Sequence, residues 1–237
     1  MTRIKGIFLD FDGVLSSLIA RIGWPFYHAL KKVQPSITKR EILTVLERVI
    51  QLYLRSEKKG LFYVPKIIFK ISVLLNLKKR HILPFTVNFL ILFKKNHNRI
   101  FPEEHADKVL AFITKNYQTA IVTHAEKAVI KRAQQEFSHL KDIDLIVARN
   151  DLKYTKPNPF GLNLAIKTHN LQPRETLYVG DLPHDIEAGK RAGTLTCAVV
   201  NFNAAKKEKK QLLKQFQPDF LIDHISQLPQ LLKKMQL

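Results

Sequence analysis

Residues 4–13 of the chain read Ile-Lys-Gly-Ile-Phe-Leu-Asp-Phe-Asp-Gly. The short, mostly apolar run from Ile4 to Leu9 is typical of a buried strand. It leads directly into two carboxylates, Asp10 and Asp12, and then into Gly13. In an open parallel sheet, ligands bind where the strands end. We therefore predict a functional site immediately after this first strand.

Short apolar runs alternate with helical patterns from residue 101 onward. The runs predicted as further strands are Thr119 to Thr123, Leu145 to Val147, Thr176 to Val179, Thr196 to Val200 and Phe220 to Ile222. The predicted helices are Glu103 to Lys115, Ala125 to Phe137, Pro159 to Thr168 and Asp185 to Ala192. This alternation is typical of a parallel sheet covered by helices. The predicted fold class is α/β, with a doubly wound parallel sheet in a Rossmann-like core.

Helical spacing replaces this pattern between the first strand and residue 95. Apolar residues recur three and four positions apart, as in Ile42, Leu46, Val49, Ile50, Tyr53 and Leu54. Thr38 and Glu41 have the spacing of a capping box that opens a helix. We predict an inserted α-helical cap domain of about four helices at residues 18–95. The catalytic core would then comprise residues 1–17 and 96–237.

The positive charge of the chain is large and unevenly distributed. Lys and Arg total 39 against 20 Asp and Glu, a formal net charge of +19. Residues 18–95 contain 16 basic and 3 acidic side chains and so carry +13 of that charge. Such an excess favours an anionic partner, which could be a phosphorylated substrate, nucleic acid or an anionic membrane. Solvated lysines on an ordinary surface would explain it equally well.

Several classes of protein are disfavoured by the sequence. Cys197 is the one cysteine, so an internal disulfide is impossible and a reducing, cytoplasmic location is expected. The apolar stretch from Leu61 to Phe93 is interrupted by five basic residues, whereas a membrane span needs roughly 20 apolar residues. We expect neither a transmembrane segment nor a signal peptide. The sequence also has no phosphate-binding glycine loop and no recognisable nucleic-acid module.

Six polar residues follow the predicted strands closely enough to meet at one edge of the sheet. They are Asp10, Asp12, Thr123, Lys156, Asp181 and Asp185. Clustered carboxylates repel each other unless a cation lies among them, and Mg²⁺ prefers such hard oxygen ligands. A carboxylate can also act as a nucleophile towards phosphorus. The hydroxyl and the ammonium group could stabilise phosphoryl oxygens, so the set indicates phosphoryl transfer.

Four short segments resemble the motifs of the haloacid dehalogenase superfamily, in the order in which that superfamily has them. The segments are Asp10 to Leu15, Val122-Thr123, Lys156 to Pro159 and Gly180 to Asp185. Residues 188–193 continue the last motif as in phosphoglycolate phosphatase-like members. The resemblance covers residues 1–17 and roughly 99–237. The insert agrees with the family only in its helical character and its position between motifs I and II.

The resemblance implies a catalytic role for four of these residues. Asp10 would attack phosphorus, and Asp12 would protonate the leaving oxygen and later activate water. Thr123 and Lys156 would bind the phosphoryl oxygens. His124, which stands where relatives often carry Asn, is included as a candidate substrate-binding residue.

The resemblance also implies a Mg²⁺ site. Asp10 and Asp181 would bind the ion through their carboxylates, Asp12 through its backbone carbonyl, and Asp185 directly or through water. Family members that cleave carbon–halogen or carbon–phosphorus bonds usually lack an acid at the place of Asp12. The presence of Asp12 therefore favours phosphate esters.

The function that follows is a Mg²⁺-dependent phosphohydrolase, which cleaves a small phosphate monoester through an aspartyl-phosphate. Two alternatives stay open: a phosphomutase acting on a sugar phosphate, and a protein that binds nucleic acid or an anionic membrane on the same scaffold. The expected partner is a small phosphorylated substrate, and the chain is expected to be a monomer or dimer. The sequence does not identify the substrate, because specificity in this fold depends on cap loops that have no recognisable sequence motif.

Overall fold

A six-stranded parallel sheet forms the centre of the computed structural model, which describes residues 3–38, 41, 73, 77–96, 99–201 and 206–235. The strands are β1 (Gly6–Leu9), β2 (Gln118–Val122), β3 (Leu145–Val147), β4 (Thr176–Gly180), β5 (Leu195–Val199) and β6 (Phe220–Ile222). Their order is β3-β2-β1-β4-β5-β6, and every neighbouring pair is parallel. The predicted α/β fold class is confirmed.

Helices cover both faces of this sheet. Numbered in chain order within the described residues, they are α1 (Leu18–Val33), α2 (Lys79–Asn96), α3 (Ala106–Asn116), α4 (Lys127–Ala133), α5 (Phe160–Thr168), α6 (Pro183–Ala192), α7 (Lys206–Gln215) and α8 (Leu228–Met235). Helices α3 and α8 share one apolar cluster with Leu9 and Val179. Helices α5 and α6 share another cluster with Phe8 and Tyr178 on the opposite face. The sheet is therefore doubly wound.

The burial of strand β1 on both faces explains why its residues 7–9 are all apolar. Ile7, Phe8 and Leu9 are all fully buried. Successive side chains of a strand point to opposite faces, and helices cover both of these faces. Ile7 and Leu9 pack into one cluster and Phe8 into the other. A polar residue at any of the three positions would have entered an apolar core.

The topology switches direction at β1, which lies between β2 and β4. Leu9 is in register with Ile121 on one side and with Val179 on the other. Residues that follow these strands therefore emerge side by side at the carboxyl edge. In such sheets the crevice beside the switch point is the usual ligand site. Asp10 and Asp181 lie at that point.

Two predicted helices begin at least two residues later than the sequence indicated. The helix predicted from Ala125 to Phe137 extends only over Lys127–Ala133. Glu126 has an extended backbone with φ of −74° and ψ of 153°, so the helix begins only at the next residue. The helix predicted from Glu103 begins at Ala106, because His105 has a left-handed backbone with φ of 60°. Strands β3 and β6 have the predicted bounds, and the bounds of the other four strands differ from the predictions by one or two residues.

The chain divides into two compact units. The first comprises Met1–Leu18, Ile100–Phe202 and Lys210–Leu237, and the second comprises Ile19–Arg99 and Asn203–Lys209. In the second unit α1 packs on α2 through aromatic rings, with the Phe26 and Phe85 centroids 5.5 Å apart. Among the described residues, no helix combines the length and the apolarity that crossing a membrane requires.

The predicted capping box is present in this second unit. Thr38 N–H donates to Glu41 Oε2 at 2.8 Å, and Glu41 N–H donates to the Thr38 hydroxyl at 3.3 Å. The apolar positions from Ile42 to Leu54, on which the prediction of a four-helix insert depends, lie outside the described residues. The number of helices in the insert therefore stays a prediction.

Candidate active site

Three buried carboxylates meet at the carboxyl edge of the sheet. Asp10 follows β1, Asp181 follows β4, and Asp185 lies in the first turn of α6. Their exposed fractions are 5%, 5% and 0%. One carboxylate oxygen of each lies within 4.8 Å of the others. The structure thus brings together three of the predicted metal ligands.

Two glycines make this close approach possible. A Cβ atom on Gly13 would collide with the Asp181 carboxylate, and Gly13 also has a left-handed φ of 83°. A Cβ atom on Gly180 would collide with Asp185. Glycine adopts the left-handed conformation without a steric penalty and leaves room for a close neighbour. The close packing of the carboxylates therefore explains why motif I and motif IV each have a glycine at these positions.

Lys156 lies between two of the carboxylates. Its Nζ atom is 3.0 Å from Asp10 Oδ1 and 2.6 Å from Asp185 Oδ1. The same atom donates hydrogen bonds to the Tyr178 hydroxyl at 3.0 Å and to the Val122 carbonyl at 3.3 Å. Lys156 is only 7% exposed, so it is a buried cation rather than a surface lysine.

The charges of this group shift one another's pKa values. Burial raises the pKa of Asp10, Lys156 lowers it, and the neighbouring carboxylates raise it again, to about 8. Burial also raises the pKa of Asp185, but Lys156, His184 and hydrogen bonds outweigh this effect and lower it to about 2. Burial lowers the pKa of Lys156, yet Asp10 and Asp185 hold it well above its usual value. Three carboxylates share one ammonium group, so negative charge is in excess.

The donor set fits a divalent cation. The described residues give Asp10 Oδ1 an ion-pair contact with Lys156 but no aligned hydrogen bond, although this oxygen is buried. Carboxylate oxygens are the ligands that Mg²⁺ prefers, and a cation would offset the excess negative charge. Asp10, Asp181 and Asp185 could hold such an ion.

Asp185 has a structural role as well as an electrostatic one. Its Oδ2 atom accepts hydrogen bonds from the backbone N–H groups of Asp181 at 3.2 Å and Leu182 at 3.0 Å. The second of these bonds caps the start of α6. Its Oδ1 atom faces Lys156. One carboxylate therefore orders the motif IV loop and neutralises the buried lysine.

Asp12 differs from the other acidic residues. It is half-buried, and its backbone forms a bridge with Ser16 in the loop after β1. Within the described residues, the group of three converging carboxylates does not include it. Its predicted metal contact was through the backbone carbonyl, and both that contact and its acid–base role stay predictions.

Thr123 and His124 lie in the loop after β2. Thr123 is 1% exposed, and its backbone N–H donates to the Val147 carbonyl at 3.0 Å. His124 Nε2 accepts the backbone N–H of Lys156 at 3.0 Å, so the ring proton of the neutral side chain resides on Nδ1. Burial and the charge of Lys156 lower the pKa of His124 to about 4. His124 thus orients the motif III loop as a neutral ring.

Two residues around the site were missed from the sequence. Tyr178 is fully buried in β4, and its hydroxyl also donates towards the Val122 carbonyl at 3.3 Å. A tyrosine in a buried strand needs a hydrogen-bond partner for its hydroxyl, so its presence in β4 could have indicated a polar site nearby. Asn201 follows β5 and donates hydrogen bonds to the loop that contains Asp12. The sequence indicated Asn201 more weakly, because it is only a polar residue that follows a predicted strand.

Comparison with known proteins identifies the class of enzyme. The chain belongs to the haloacid dehalogenase-like hydrolase family, because the family model matches residues 7–199. The predicted resemblance is confirmed, and so is the prediction that the chain is an enzyme. The family is generally metal-dependent, in agreement with the acidic cluster.

Similar proteins include several pyrophosphatases. Pyrophosphatase PpaX of Bacillus cereus (strain G9842) is 27% identical over 236 residues, which cover 98% of this chain and 98% of that protein. Pyrophosphatase PpaX of Bacillus thuringiensis (strain Al Hakam) is 29% identical over 146 residues, which cover 60% of this chain and 66% of that protein.

Solved structures show the same fold. A predicted phosphoglycolate phosphatase from Haemophilus somnus superposes with a TM-score of 0.63 at 19% identity, covering 98% of this chain and 99% of that one. A subfamily IA hydrolase of the superfamily from Geobacter sulfurreducens gives a TM-score of 0.62 at 15% identity, with coverages of 97% and 96%.

Replacement of the buried lysine tests the charge network. Lys156→Met keeps most of the side-chain volume but leaves Asp10 and Asp185 without their cation. Removing one partner of a buried ion pair costs about 3–5 kcal/mol. We expect a loss of this size in the free energy of unfolding, measured with urea in the presence of chelator.

The exposed Lys153 provides the matched control, and Lys153→Met should change the stability little. Adding Asp185→Asn to Lys156→Met should recover part of the loss, because Asp185 is the ionised partner of Lys156 and its uncompensated charge is removed. Equal stabilities of Lys156→Met and Lys153→Met would contradict the network.

Proposed function

We propose that the chain is a Mg²⁺-dependent phosphohydrolase that cleaves a small phosphate monoester through an aspartyl-phosphate. Residues 1–17 and 96–237 would form the catalytic core, and residues 18–95 would form the cap. The observation that carries the proposal is the buried group of Asp10, Asp181 and Asp185 around the Lys156 ammonium, in a chain of a hydrolase family.

The first step is attack by Asp10. A carboxylate oxygen of Asp10 bonds to phosphorus while the phosphorus–oxygen bond to the leaving group breaks. The bonding electron pair goes to the leaving oxygen, which takes a proton from the Asp12 carboxyl group. The products of this step are the free alcohol, the aspartyl-phosphate and an ionised Asp12.

The second step returns the enzyme to its starting state. Asp12, now a carboxylate, takes a proton from a water molecule whose oxygen attacks phosphorus. The bond between phosphorus and the Asp10 oxygen breaks, which releases inorganic phosphate and regenerates the Asp10 carboxylate. Asp12 is protonated again, so atoms and charge balance over the cycle.

The surrounding residues would bind the phosphoryl group and the ion. Thr123 and Lys156 supply a hydroxyl and an ammonium group, and His124 lies beside them as a neutral ring. Asp10, Asp181, Asp185 and the Asp12 carbonyl would hold Mg²⁺. When bound, the ion would keep Asp10 ionised and stabilise charge on the phosphoryl oxygens.

The names of the relatives suggest which phosphate compounds to test as substrates. Relatives that match 98% of the chain are named pyrophosphatases, so pyrophosphate belongs in a substrate panel beside sugar phosphates and phosphoglycolate. A phosphomutase acting on a sugar phosphate is the alternative within enzymes. Release of inorganic phosphate without a bisphosphate activator separates hydrolysis from phosphoryl return.

A second candidate function is binding to an anionic membrane surface through the insert. One face of α2 exposes Leu83, Val87, Leu90 and Ile91, by between 44% and 71%. Basic residues lie at both ends of this helix, which contains neither Asp nor Glu. Exposed apolar residues together with basic residues and no acidic ones are features that helices binding anionic lipid surfaces share.

The nucleophile is tested by substitution of the two motif I acids. Asp10→Asn should abolish turnover, because a neutral amide is too weak a nucleophile to form the acyl phosphate. Asp12→Asn should lower kcat by about 10²- to 10⁴-fold, since only proton transfer is lost. Phosphate release from the substrate panel is the measurement, and the exposed Asp142→Asn serves as the control. Turnover by Asp10→Asn near that of Asp142→Asn would exclude the covalent step.

The metal is tested by its removal. Excess chelator should stop turnover, and added Mg²⁺ should restore it. Ca²⁺ should support little activity, because it favours a looser and higher coordination than Mg²⁺. Isothermal titration of Mg²⁺ into the metal-free protein should give one site, which is lost in Asp181→Asn. Full activity in chelator would refute metal dependence.

The membrane candidate is tested by sedimentation with vesicles. Binding to phosphatidylserine vesicles should weaken as salt rises, and Lys79→Glu/Lys95→Glu should weaken it by about tenfold or more, since each basic residue contributes about 1 kcal/mol. Lys115→Glu/Lys141→Glu makes the same charge change on exposed core positions and should bind as the wild type does. Equal losses in both variants, or binding to DNA or RNA in place of vesicles, would contradict this candidate.

A further inference from the structure

Asn201 occupies an unusual position at the carboxyl edge of the sheet. It follows β5, and its backbone N–H donates to the Asp223 carbonyl at 3.0 Å. Its φ is 46°, in the left-handed region that few residues other than glycine adopt. Asparagine is among the residues that tolerate this region. The backbone here is held in a conformation that directs the side chain towards the motif I loop.

The Asn201 side chain joins two loops. Its Nδ2 atom donates to the Gly13 carbonyl at 3.0 Å and to the Val14 carbonyl at 2.8 Å. Its Oδ1 atom accepts the backbone N–H of Ile225 at 2.8 Å. Both amide protons and the carbonyl oxygen are thus in use. Only an amide side chain of this length offers two donors and an acceptor in this arrangement.

The loop that Asn201 holds contains groups of the proposed site. Gly13 contacts the Asp181 carboxylate closely enough to exclude a Cβ atom. Its N–H donates to the Ser16 carbonyl at 2.7 Å, and Ser16 pairs in turn with the Asp12 backbone. A shift of the Gly13 and Val14 carbonyls would therefore move the backbone of Asp12 and the surface against which Asp181 rests.

We infer that Asn201 is a positioning residue, which fixes the loop of residues 12–16 so that Asp12 and Asp181 keep their places in the site. The inference rests on the proposed function for its effect on turnover. Asn201 touches backbone carbonyls and no reacting atom, so it acts through the loop. The contact links residues 188 positions apart in the sequence.

Two substitutions separate the side chain from the backbone. Asn201→Gly removes all three hydrogen bonds and adopts the left-handed conformation without strain. Asn201→Asp keeps the shape and the acceptor for Ile225 but turns an oxygen towards the two carbonyls in place of donors. Asn170 is the matched control: it is exposed, its φ is 51°, and it lies between α5 and the start of β4, at the end of that strand away from the site. Asn170→Gly and Asn170→Asp repeat the same backbone and charge changes.

Turnover is the first measurement. Partners that orient metal ligands typically contribute 10- to 100-fold to activity, and the loop that Asn201 holds contains the proposed ligand Asp12. We expect kcat to fall by about this factor in Asn201→Gly and further in Asn201→Asp, with little change in KM because substrate contacts are untouched. The Asn170 variants should retain wild-type kcat. Equal kcat values at the two positions would overturn the inference.

Hydrogen exchange is the second measurement, and it does not depend on activity. The amide of Gly13, which donates within the loop, should exchange about tenfold faster or more in Asn201→Gly than in Asn170→Gly. If the wild type hydrolysed no phosphate ester, the proposed function would fail, and exchange alone would decide whether Asn201 holds the loop. Unchanged exchange at Gly13 would overturn the inference in either case.

Discussion

The contact between the Lys156 ammonium and the carboxylates of Asp10 and Asp185 is the interaction on which the site depends. All three groups are buried, so each would pay a large desolvation cost if it were alone. The lysine contacts two carboxylates, but its single positive charge cannot balance both of them and Asp181 as well. The Lys156 ammonium group therefore holds part of the site together, and the remaining negative charge suits a divalent metal ion. The surrounding architecture has to hold these charges at close range against their mutual repulsion.

The sheet and two glycines supply that constraint. Because β1 and β4 are neighbours in register, the residues that follow them leave the sheet at the same level. Gly13 and Gly180 then let the Asp181 and Asp185 side chains pack against bare backbone. Natural proteins depart from locally favourable choices mainly at functional sites. Three buried carboxylates side by side are such a departure, and the two glycines leave the space that it requires.

Much of this arrangement could be predicted from the sequence because its signals are local. Ile7 to Leu9 are apolar because both faces of β1 are covered, and the acidic residues follow immediately. Lys156 could be assigned to the site, yet its burial and its bond to Tyr178 could not, since they depend on β4 passing beneath it. The Asn201 contacts join distant segments and leave no periodic trace. The helix start predicted at Ala125 was wrong because Glu126 has an extended backbone, which the apolar spacing of the sequence does not reveal.

Asp185 shows why fold and chemistry cannot be separated here. One of its oxygens accepts two backbone N–H groups and so fixes the start of α6, while the other faces Lys156. A residue that only accepted the N-cap backbone N–H from the third position of the helix could be replaced by the uncharged Gln, which closes a capping box in the same way. A residue that only balanced charge could lie anywhere near the ammonium group. The combination requires a carboxylate at this position of the helix. Through its two oxygens, Asp185 connects the backbone N–H of Asp181 with the Lys156 ammonium group. The geometry of the acidic cluster is thereby set by the same bonds that begin the helix.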